Sequence, residues 1–260
     1  MGWHESTSPR HSWMHETEPE ARVHGPRMTM PRGKRVGGSS STTGMIYIRG
    51  HRLDDADWVA DPPAVHPVTR ATIDAGCQAD LPSVGENLQD HVRVPMTWRL
   101  QPGVRSLDQA FRGLGLPRSL CRHLLLRSGP VTSPPAEFGA YLKSDPALPC
   151  HDIQVFGLQV TGDPSLRTRA SRSLQPDTFG GLTLAPHQLW PFSPGRQRLK
   201  DAGAAVHPAL HMNDLHAQRD RRALLWGLRL LRDKARQSAL AAYRRCARPT
   251  CGCVASKACA

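Results

Sequence analysis

Apolar residues recur at helical spacing in two stretches of the 260-residue chain. Residues 219–243 place four apolar side chains on one helix face, namely Leu224, Leu228, Leu231 and Ala235. Arginines lie largely off that face, as in a packing helix with a solvated side. Residues 106–127 carry leucines at similar spacing, with a break expected at Pro117. The pattern therefore predicts one clear amphipathic helix and, before it, a pair of shorter helices.

Alternation of apolar and polar residues is weaker. Residues 92–100 alternate enough to predict a strand, and Pro95 favours an edge position because proline cannot donate to a sheet ladder. Residues 1–30 show no sustained period and are expected to be loop. Residues 59–79 are expected to be a linker because they contain three prolines. Residues 157–180, rich in arginine and serine, are expected to form a surface loop.

Composition adds a strong positive charge to this picture. The formal net charge is +12 and the sequence pI is about 10.1, values that call for a search for nucleic acid or another polyanion as partner. The arginines are spread along the chain, which is more typical of a compositional bias than of a binding patch. A non-enzymatic basic protein binding nucleic acid remains the alternative function, although no specific nucleic acid is expected. Oligomeric state is not predicted.

The segment with the most informative chemistry is residues 31–50, which join a basic turn, a loop of glycine and hydroxyl residues, and a short apolar run. Gly37 and Gly38 allow the backbone to approach a ligand closely, and the serines and threonines that follow add hydroxyls without a carboxylate. Arg32, Lys34 and Arg35 would favour an anionic group. The loop therefore suits a polar or anionic cofactor, and a flexible Gly/Ser connector is the alternative.

Residues 32–50 resemble the first signature of the glucose-methanol-choline (GMC) flavoprotein oxidoreductases, in particular their choline and alcohol dehydrogenase branch. In that family the loop lies against FAD. Thr42 and Thr43 depart from the family pattern, which has an aliphatic residue and then Asn or His. The resemblance implies FAD as cofactor and the following contact residues: Arg32, Gly33, Val36, Gly37, Gly38, Ser39, Ser40, Thr43, Gly44 and Met45.

A second match lies at residues 80–91, which are similar to the family motif D-L-P-G-V-G-E-N-L-Q-D-H with Ser83 in place of a glycine. His91 beside Asp90 could act as a base, but a structural role is favoured because the family places its catalytic histidine elsewhere. Further matches at 128–142 and 149–156 resemble the substrate domain. There the resemblance implies that Glu137 lies near the substrate pocket.

The resemblance implies a fold of two parts: an α/β FAD-binding domain remnant, and an α+β substrate domain with an antiparallel sheet backed by helices. The expected divisions are residues 1–79 for the partial FAD-binding domain, 80–243 for the substrate-binding domain and 244–260 for an unrelated cysteine-rich tail. The tail carries Cys246, Cys251, Cys253 and Cys259 without paired C-x2-C knuckles, so no metal site is predicted.

Members of the family oxidise an alcohol by proton abstraction and hydride transfer to the flavin, and then pass electrons to an acceptor. The implied substrate is choline-like or a simple alcohol. Two family elements have no counterpart in this sequence: the G-x-G-x-x-G turn that binds the ADP half of FAD, and the H-P-x-G-T histidine motif. No catalytic residue is therefore assigned, and weak or absent FAD binding without turnover is expected. The sequence shows no signal peptide or transmembrane segment, so a cytoplasmic, soluble protein is expected.

Overall fold

The computed structural model describes residues 9–20, 25, 27–34, 36–42, 83–132, 136–161, 179–201 and 206–247. In these ranges all strand pairs within the sheets are antiparallel. They form a two-stranded ribbon, a five-stranded sheet and a second two-stranded sheet. The expectation of an antiparallel sheet backed by helices is therefore confirmed. The linker expected at 59–79 lies outside the described residues.

The ribbon lies in a region that we expected to be partly loop. Strands β1 (Ser12–Glu16) and β2 (Thr29–Gly33) pair antiparallel, with Ser12 opposite Gly33 and Glu16 opposite Thr29. Thr17 closes the ribbon, because its backbone N–H donates to the Met28 carbonyl at 2.9 Å and its hydroxyl accepts from the Met28 N–H at 2.9 Å. The prediction of loop for residues 1–30 was wrong here because cross-strand pairing, rather than sequence period, defines these short strands.

The five-stranded sheet has the order β4-β5-β6-β3-β9. Its strands are β3 (Met96–Leu100), β4 (Phe138–Leu142), β5 (Ile153–Leu158), β6 (Gly181–Gln188) and β9 (Arg244–Ala247). β3 therefore lies between two neighbours, and the predicted edge position was wrong. Pro95 precedes the first strand residue, so it removes no hydrogen bond from the ladder. β9 shows that the first residues of the 244–260 segment belong to this sheet.

Helix α2 (Gln218–Arg236) covers one face of the sheet, as the apolar period at 219–243 predicted; a four-residue helix, α3 (Ser238–Ala241), follows. The core between α2 and the sheet contains Trp98, Ile153, Val155, Leu184, Ala223, Leu231 and Ala235. Gly227 allows the closest approach, since a Cβ there would lie 3.0 Å from the Cβ of Pro186. The opposite sheet face carries polar and aromatic side chains, among them Tyr141, whose hydroxyl accepts from Gln154 Nε2 at 2.6 Å.

The leucine-rich stretch at 106–127 forms a 3-10 turn (Leu107–Phe111) and helix α1 (Gly115–Leu126). The break predicted at Pro117 does not occur there. Pro117 is the third residue of α1, where the backbone N–H has no intrahelical acceptor, so proline is tolerated. A further 3-10 turn spans Pro130–Thr132.

A small sheet connects the ribbon to the rest of the chain. Strand β7 (Arg196–Arg198) pairs with β8 (Ala209–His211). Leu210 of β8 forms a parallel bridge with Thr17, and its carbonyl accepts from the Glu18 N–H at 2.8 Å. The ribbon is thereby fixed to the segment that leads into α2.

Two buried carboxylates organise the connections. Asp220, fully buried in the first turn of α2, accepts hydrogen bonds from Gln188 Nε2, the Phe192 N–H and the Ser193 hydroxyl. Asp108, 1% exposed, accepts four hydrogen bonds. Its donors are the Thr161 N–H (2.9 Å) and hydroxyl (3.0 Å), the Gly181 N–H (3.0 Å) and the Ser106 hydroxyl (3.1 Å). Burial raises the pKa of Asp108, and these hydrogen bonds oppose that rise.

We predict that Asp108→Ala lowers the free energy of unfolding by about 3 kcal/mol, because four buried donors lose their acceptor. Chemical denaturation of the variant and of Asp233→Ala measures this. Asp233 has a side chain that is 72% exposed, so its loss should cost less than about 0.5 kcal/mol. Equal stability losses in the two variants would contradict the interpretation.

Candidate functional site

The glycine-rich loop folds into a tight turn at the end of β2. Gly33 ends the strand, and a 3-10 helix spans Gly38–Thr42. A Cβ on Gly33 would lie 2.2 Å from the Gly38 carbonyl oxygen, so no larger residue fits without backbone movement. Gly37 and Gly38 have φ of 87° and 56°, a region that glycine adopts at low cost. The close contact between Gly33 and the Gly38 carbonyl therefore requires glycine at position 33, and the positive φ favours glycine at positions 37 and 38.

Hydroxyl groups stabilise this turn from inside. The Gly33 N–H donates to Ser39 Oγ at 3.1 Å, and the Ser40 N–H donates to the Gly37 carbonyl at 3.2 Å. The Ser40 hydroxyl also donates to the Gly37 carbonyl at 2.5 Å. Both serine hydroxyls thus make bonds within the turn. Sequence reasoning assigned them to a ligand and did not foresee this use.

Among the described residues, nothing packs against the turn at Gly38. A Cβ on Gly38 would meet no atom within 4 Å, and the Val36 side chain is fully exposed. The backbone at this position can therefore lie directly against a large flat group, with Val36 providing an apolar contact. On this observation the residues present fit a flavin-type cofactor. Thr43, Gly44 and Met45 lie outside the described residues, as does Arg35.

Basic and aromatic side chains flank the turn on the ribbon. Lys34 Nζ lies 4.1 Å from the centre of the Trp13 ring and donates to the Pro9 carbonyl at 3.3 Å. Arg32, cross-strand neighbour of Trp13, is exposed and donates to the Pro31 carbonyl at 3.0 Å. Both charges are therefore held beside the glycine turn and remain near solvent, where they can attract an anion.

Two histidines that the sequence did not single out meet beside the ribbon: His15 lies on β1, and His207 lies just before β8. The rings of His15 and His207 meet edge to face at 4.7 Å. Burial lowers the pKa of His15, and the nearby His207 and Arg32 lower it further. Their proximity depends on the bridge between Thr17 and Leu210, which no local sequence pattern predicts.

The second sequence motif packs against β7. A Cβ on Gly85 would lie 2.3 Å from the Gln197 carbonyl oxygen, and Glu86 forms an ion pair with Arg198. Leu88 exchanges two backbone hydrogen bonds with Gly195, at 3.0 and 2.7 Å. Polar residues of the motif therefore find partners within the chain, as expected of polar side chains near a packed surface.

Asp90 and His91 form an exposed pair at the end of this motif. Asp90 Oδ1 lies 3.4 Å from His91 Nδ1 and accepts the His91 backbone N–H at 2.8 Å, with the His91 side chain 60% exposed. An exposed pair at this distance is weak. Together with Trp190 and Phe192, the two residues line an open cleft of about 450 Å³.

His187 lies on the sheet face opposite α2, against His91 and Phe156, with ring centres 5.6 and 4.8 Å away. Burial lowers its pKa to about 3, assisted by the charge of Arg93. His187 is therefore neutral near pH 7 and contacts the Ala185 carbonyl through Nδ1 at 3.0 Å. It contributes a packed ring rather than a proton acceptor.

Glu137 lies immediately before β4 rather than within it, and its side chain is exposed. Its backbone N–H donates to the Gly157 carbonyl at 3.2 Å. The turn at Gly33 belongs to the ribbon and Glu137 to the edge of the large sheet, so the predicted cofactor and substrate residues occupy different sheets. Within the described part of the chain, no group of three or more His, Cys, Asp or Glu residues is placed to hold a metal ion.

An acidic cluster missed by sequence reasoning joins the ribbon to the loop before α2. Glu20 accepts hydrogen bonds from the backbone N–H groups of Asn213 and Asp214, the latter at 3.0 Å. Burial raises the pKa of Asp214 to about 6, and the charges of Glu20, Asp90 and Asp220 raise it further. These residues are distant in sequence, so only the fold brings them together.

Comparison with known proteins agrees with this geometry. A family model described as GMC oxidoreductase matches residues 17–67, which contain the glycine turn. The oxygen-dependent choline dehydrogenase of Photobacterium profundum is 29% identical over 168 residues, covering 48% of this chain and 29% of that protein. Its Escherichia coli counterpart is 35% identical over 108 residues, covering 41% of this chain and 19% of that protein. The chain thus spans less than a third of these relatives.

Solved structures show the same fold. Pyridoxine 4-oxidase from Mesorbium loti superposes with a TM-score of 0.69 at 16% identity, covering 98% of this chain and 75% of that one. Aspergillus oryzae formate oxidase gives 0.55 at 21% identity, covering 65% and 33%. The described chain therefore shares its fold with these two oxidases. The chain is thus similar to the GMC oxidoreductase family over part of its own length, at residues 17–67 for the family model and over 48% of the chain for the Photobacterium profundum relative.

We predict that Gly33→Ala lowers the melting temperature and weakens any ligand contact at the turn, because its Cβ would overlap the Gly38 carbonyl. The expected cost is about 1–3 kcal/mol. Gly113→Ala is the comparison, since a Cβ there meets nothing within 4 Å and its cost comes only from the left-handed φ of 47°, about 1 kcal/mol. Thermal unfolding followed by circular dichroism distinguishes them. A Gly33 variant no less stable than the Gly113 variant would contradict the packing described.

Asp214 gives a prediction about pH. Its pKa is higher in the folded chain, about 6 against 3.8, so the folded state disfavours the carboxylate. This penalty is absent below pH 4, grows between pH 4 and 6, and is complete above pH 6, where it reaches at most about 3 kcal/mol. Asp214→Asn should therefore be more stable than wild type at pH 8 and equal to it near pH 4. Denaturation at both pH values tests this, with Asp233→Asn as the exposed control; a pH-independent difference would contradict it.

Proposed function

We propose that this chain forms the flavin-contacting loop and the substrate-side sheet of an FAD-dependent GMC oxidoreductase that oxidises an alcohol. The carrying observation is the turn from Gly33 to Thr42, which is tightly packed at Gly33 and, among the described residues, has nothing packed against it at Gly38. The family match across this turn supports FAD as cofactor. The chain spans only 29% of the Photobacterium profundum choline dehydrogenase. We therefore give the oxidation of a choline-like or simple alcohol as part of the proposal.

The described residues of the turn would hold the cofactor in complementary ways. Gly37 and Gly38 expose backbone to its planar part, Val36 adds an apolar contact, and Arg32 provides positive charge toward its phosphates. Gly33, Ser39 and Ser40 act by holding the turn in shape. Thr43, Gly44 and Met45 complete the proposed contact set. When bound, FAD supplies the hydride acceptor, and the protein's part is to orient it and the alcohol.

Glu137 is the proposed substrate contact. An exposed carboxylate beside the sheet edge can attract a quaternary ammonium group through charge. Phe138, the next residue along the chain, is 48% exposed and is the aromatic side chain closest to Glu137 in sequence. An electron acceptor is the second partner that this chemistry requires.

We further propose that residues 1–79 are the remnant of an α/β FAD-binding domain. The substrate-binding domain would then begin at residue 80. Its sheet extends beyond residue 243, because Arg244–Ala247 pairs with β3. The remaining tail residues are not assigned to either part.

The 260 residues contain no G-x-G-x-x-G turn for the ADP half of FAD and no H-P-x-G-T histidine to accept the alcohol proton. We therefore predict saturable but weak FAD binding, with a dissociation constant above about 1 μM, and no alcohol-dependent reduction of a dye acceptor. Flavin fluorescence quenching measures the first, and dye reduction with choline or ethanol measures the second.

The controls separate the two parts of the proposal. Gly33→Ala should raise the dissociation constant for FAD, measured by flavin quenching, about tenfold or more. Gly113→Ala should leave that constant unchanged. Glu137→Gln should leave flavin quenching unchanged. It should abolish any effect that choline has on the fluorescence of the bound flavin. A folded chain that shows no quenching at any FAD concentration would overturn the cofactor assignment. Turnover by the isolated chain would show that its residues include a proton acceptor that we have not identified.

A further inference from the structure

Helix α1 and the residue before it expose an unusual number of leucines. Leu114, just before the helix, is 89% exposed, and five leucines of α1 are between 41% and 81% exposed: Leu116, Leu120, Leu124, Leu125 and Leu126. Among the elements described, α1 packs against the 3-10 turns on either side of it, and Ser119 is its one buried residue. The Ser119 hydroxyl donates to the Ala110 carbonyl at 3.0 Å, which fixes the helix to the preceding turn. An apolar surface of this extent marks a contact site.

The shape of the surface indicates what covers it. Leu124, Leu125 and Leu126 are consecutive, so they project about 100° apart around the helix axis. All three are exposed, at 72%, 81% and 69%. A groove on one side of the helix would leave at least one of these side chains in water, whereas a helix end that is apolar on several sides is covered by a surrounding core or by a membrane. A fluid apolar phase surrounds the helix end and can cover all three.

The charges beside the leucines also favour a fluid apolar phase as the partner. Between residues 109 and 136 the sequence contains four arginines and no acidic residue. The arginines are Arg112, Arg118, Arg122 and Arg127. Arg118 and Arg122 are exposed on α1 itself, so the leucine surface carries a positive rim. Leucines beside arginines, on a helix too short to cross a bilayer, are typical of a segment that inserts into an anionic membrane interface.

We propose that α1 is a membrane-contact element, which inserts its leucine-rich end into the surface of a bilayer containing anionic lipid. Among the described residues no helix is long and apolar enough to span a membrane, so this contact is peripheral. The proposal concerns a surface remote in sequence from the glycine turn and does not depend on flavin binding.

Flotation of the full chain with vesicles tests the proposal. We expect binding to vesicles of mixed phosphatidylcholine and phosphatidylglycerol, weaker binding to phosphatidylcholine alone, and a decrease with added salt. The triple variant Leu124→Ser/Leu125→Ser/Leu126→Ser should lower the partition coefficient about tenfold or more. Because these side chains are exposed, circular dichroism should show the variant folded.

Matched controls make the outcome specific. Leu199→Ser/Val206→Ser/Leu225→Ser removes three exposed apolar residues elsewhere, which are 81%, 46% and 49% exposed, and should bind vesicles like wild type. Arg118→Gln/Arg122→Gln should weaken binding to anionic vesicles more than Arg229→Gln/Arg232→Gln, which removes the same charge from α2. The proposal would be overturned if wild type did not bind vesicles, or if the α1 leucine variant bound them as well as wild type does. So would a wild-type dimer in solution that the α1 leucine variant converts to monomer, since a second copy would then cover the helix.

Discussion

The buried carboxylate of Asp220 is the interaction on which most of the architecture depends. It lies in the first turn of α2 and accepts hydrogen bonds from Gln188 at the end of β6 and from Phe192 and Ser193 beyond it. A carboxylate at a helix N-terminus also interacts favourably with the helix dipole. One side chain thus sets the position of the covering helix against the sheet and fixes the path of the chain that leaves β6.

The course of the chain after β6 determines where the candidate site lies. The chain after Ser193 pairs with Leu88 at Gly195 and continues into β7, which pairs with β8. Leu210 of β8 holds the ribbon through Thr17 and Glu18. The ribbon in turn ends at Gly33, where the glycine turn begins. The turn is therefore connected to the five-stranded sheet through short stretches of chain joined by backbone hydrogen bonds.

The sequence was most informative where local rules are strong. The apolar period of α2 predicted its position, and Gly37 and Gly38 have the positive φ that their loop suggested. It was less informative where partners are distant. Ser12–Glu16 has no clear alternation and becomes a strand only because Thr29–Gly33 lies beside it. Pro117 predicted a break, but its effect depends on its place in the helix. Glu20 and Asp214 are brought together only by the complete fold, so neither the cluster nor its raised pKa could be predicted.

The proposed function depends on the turn from Gly33 to Thr42 being a flavin-contact surface. Hydrogen–deuterium exchange, followed by mass spectrometry with and without saturating FAD, tests that claim directly because it reports on the backbone amides of the turn. We predict slower exchange in peptides covering residues 33–42 and unchanged exchange in those covering α1. Unchanged exchange across the turn, under conditions where flavin fluorescence shows that FAD is bound, would contradict the account.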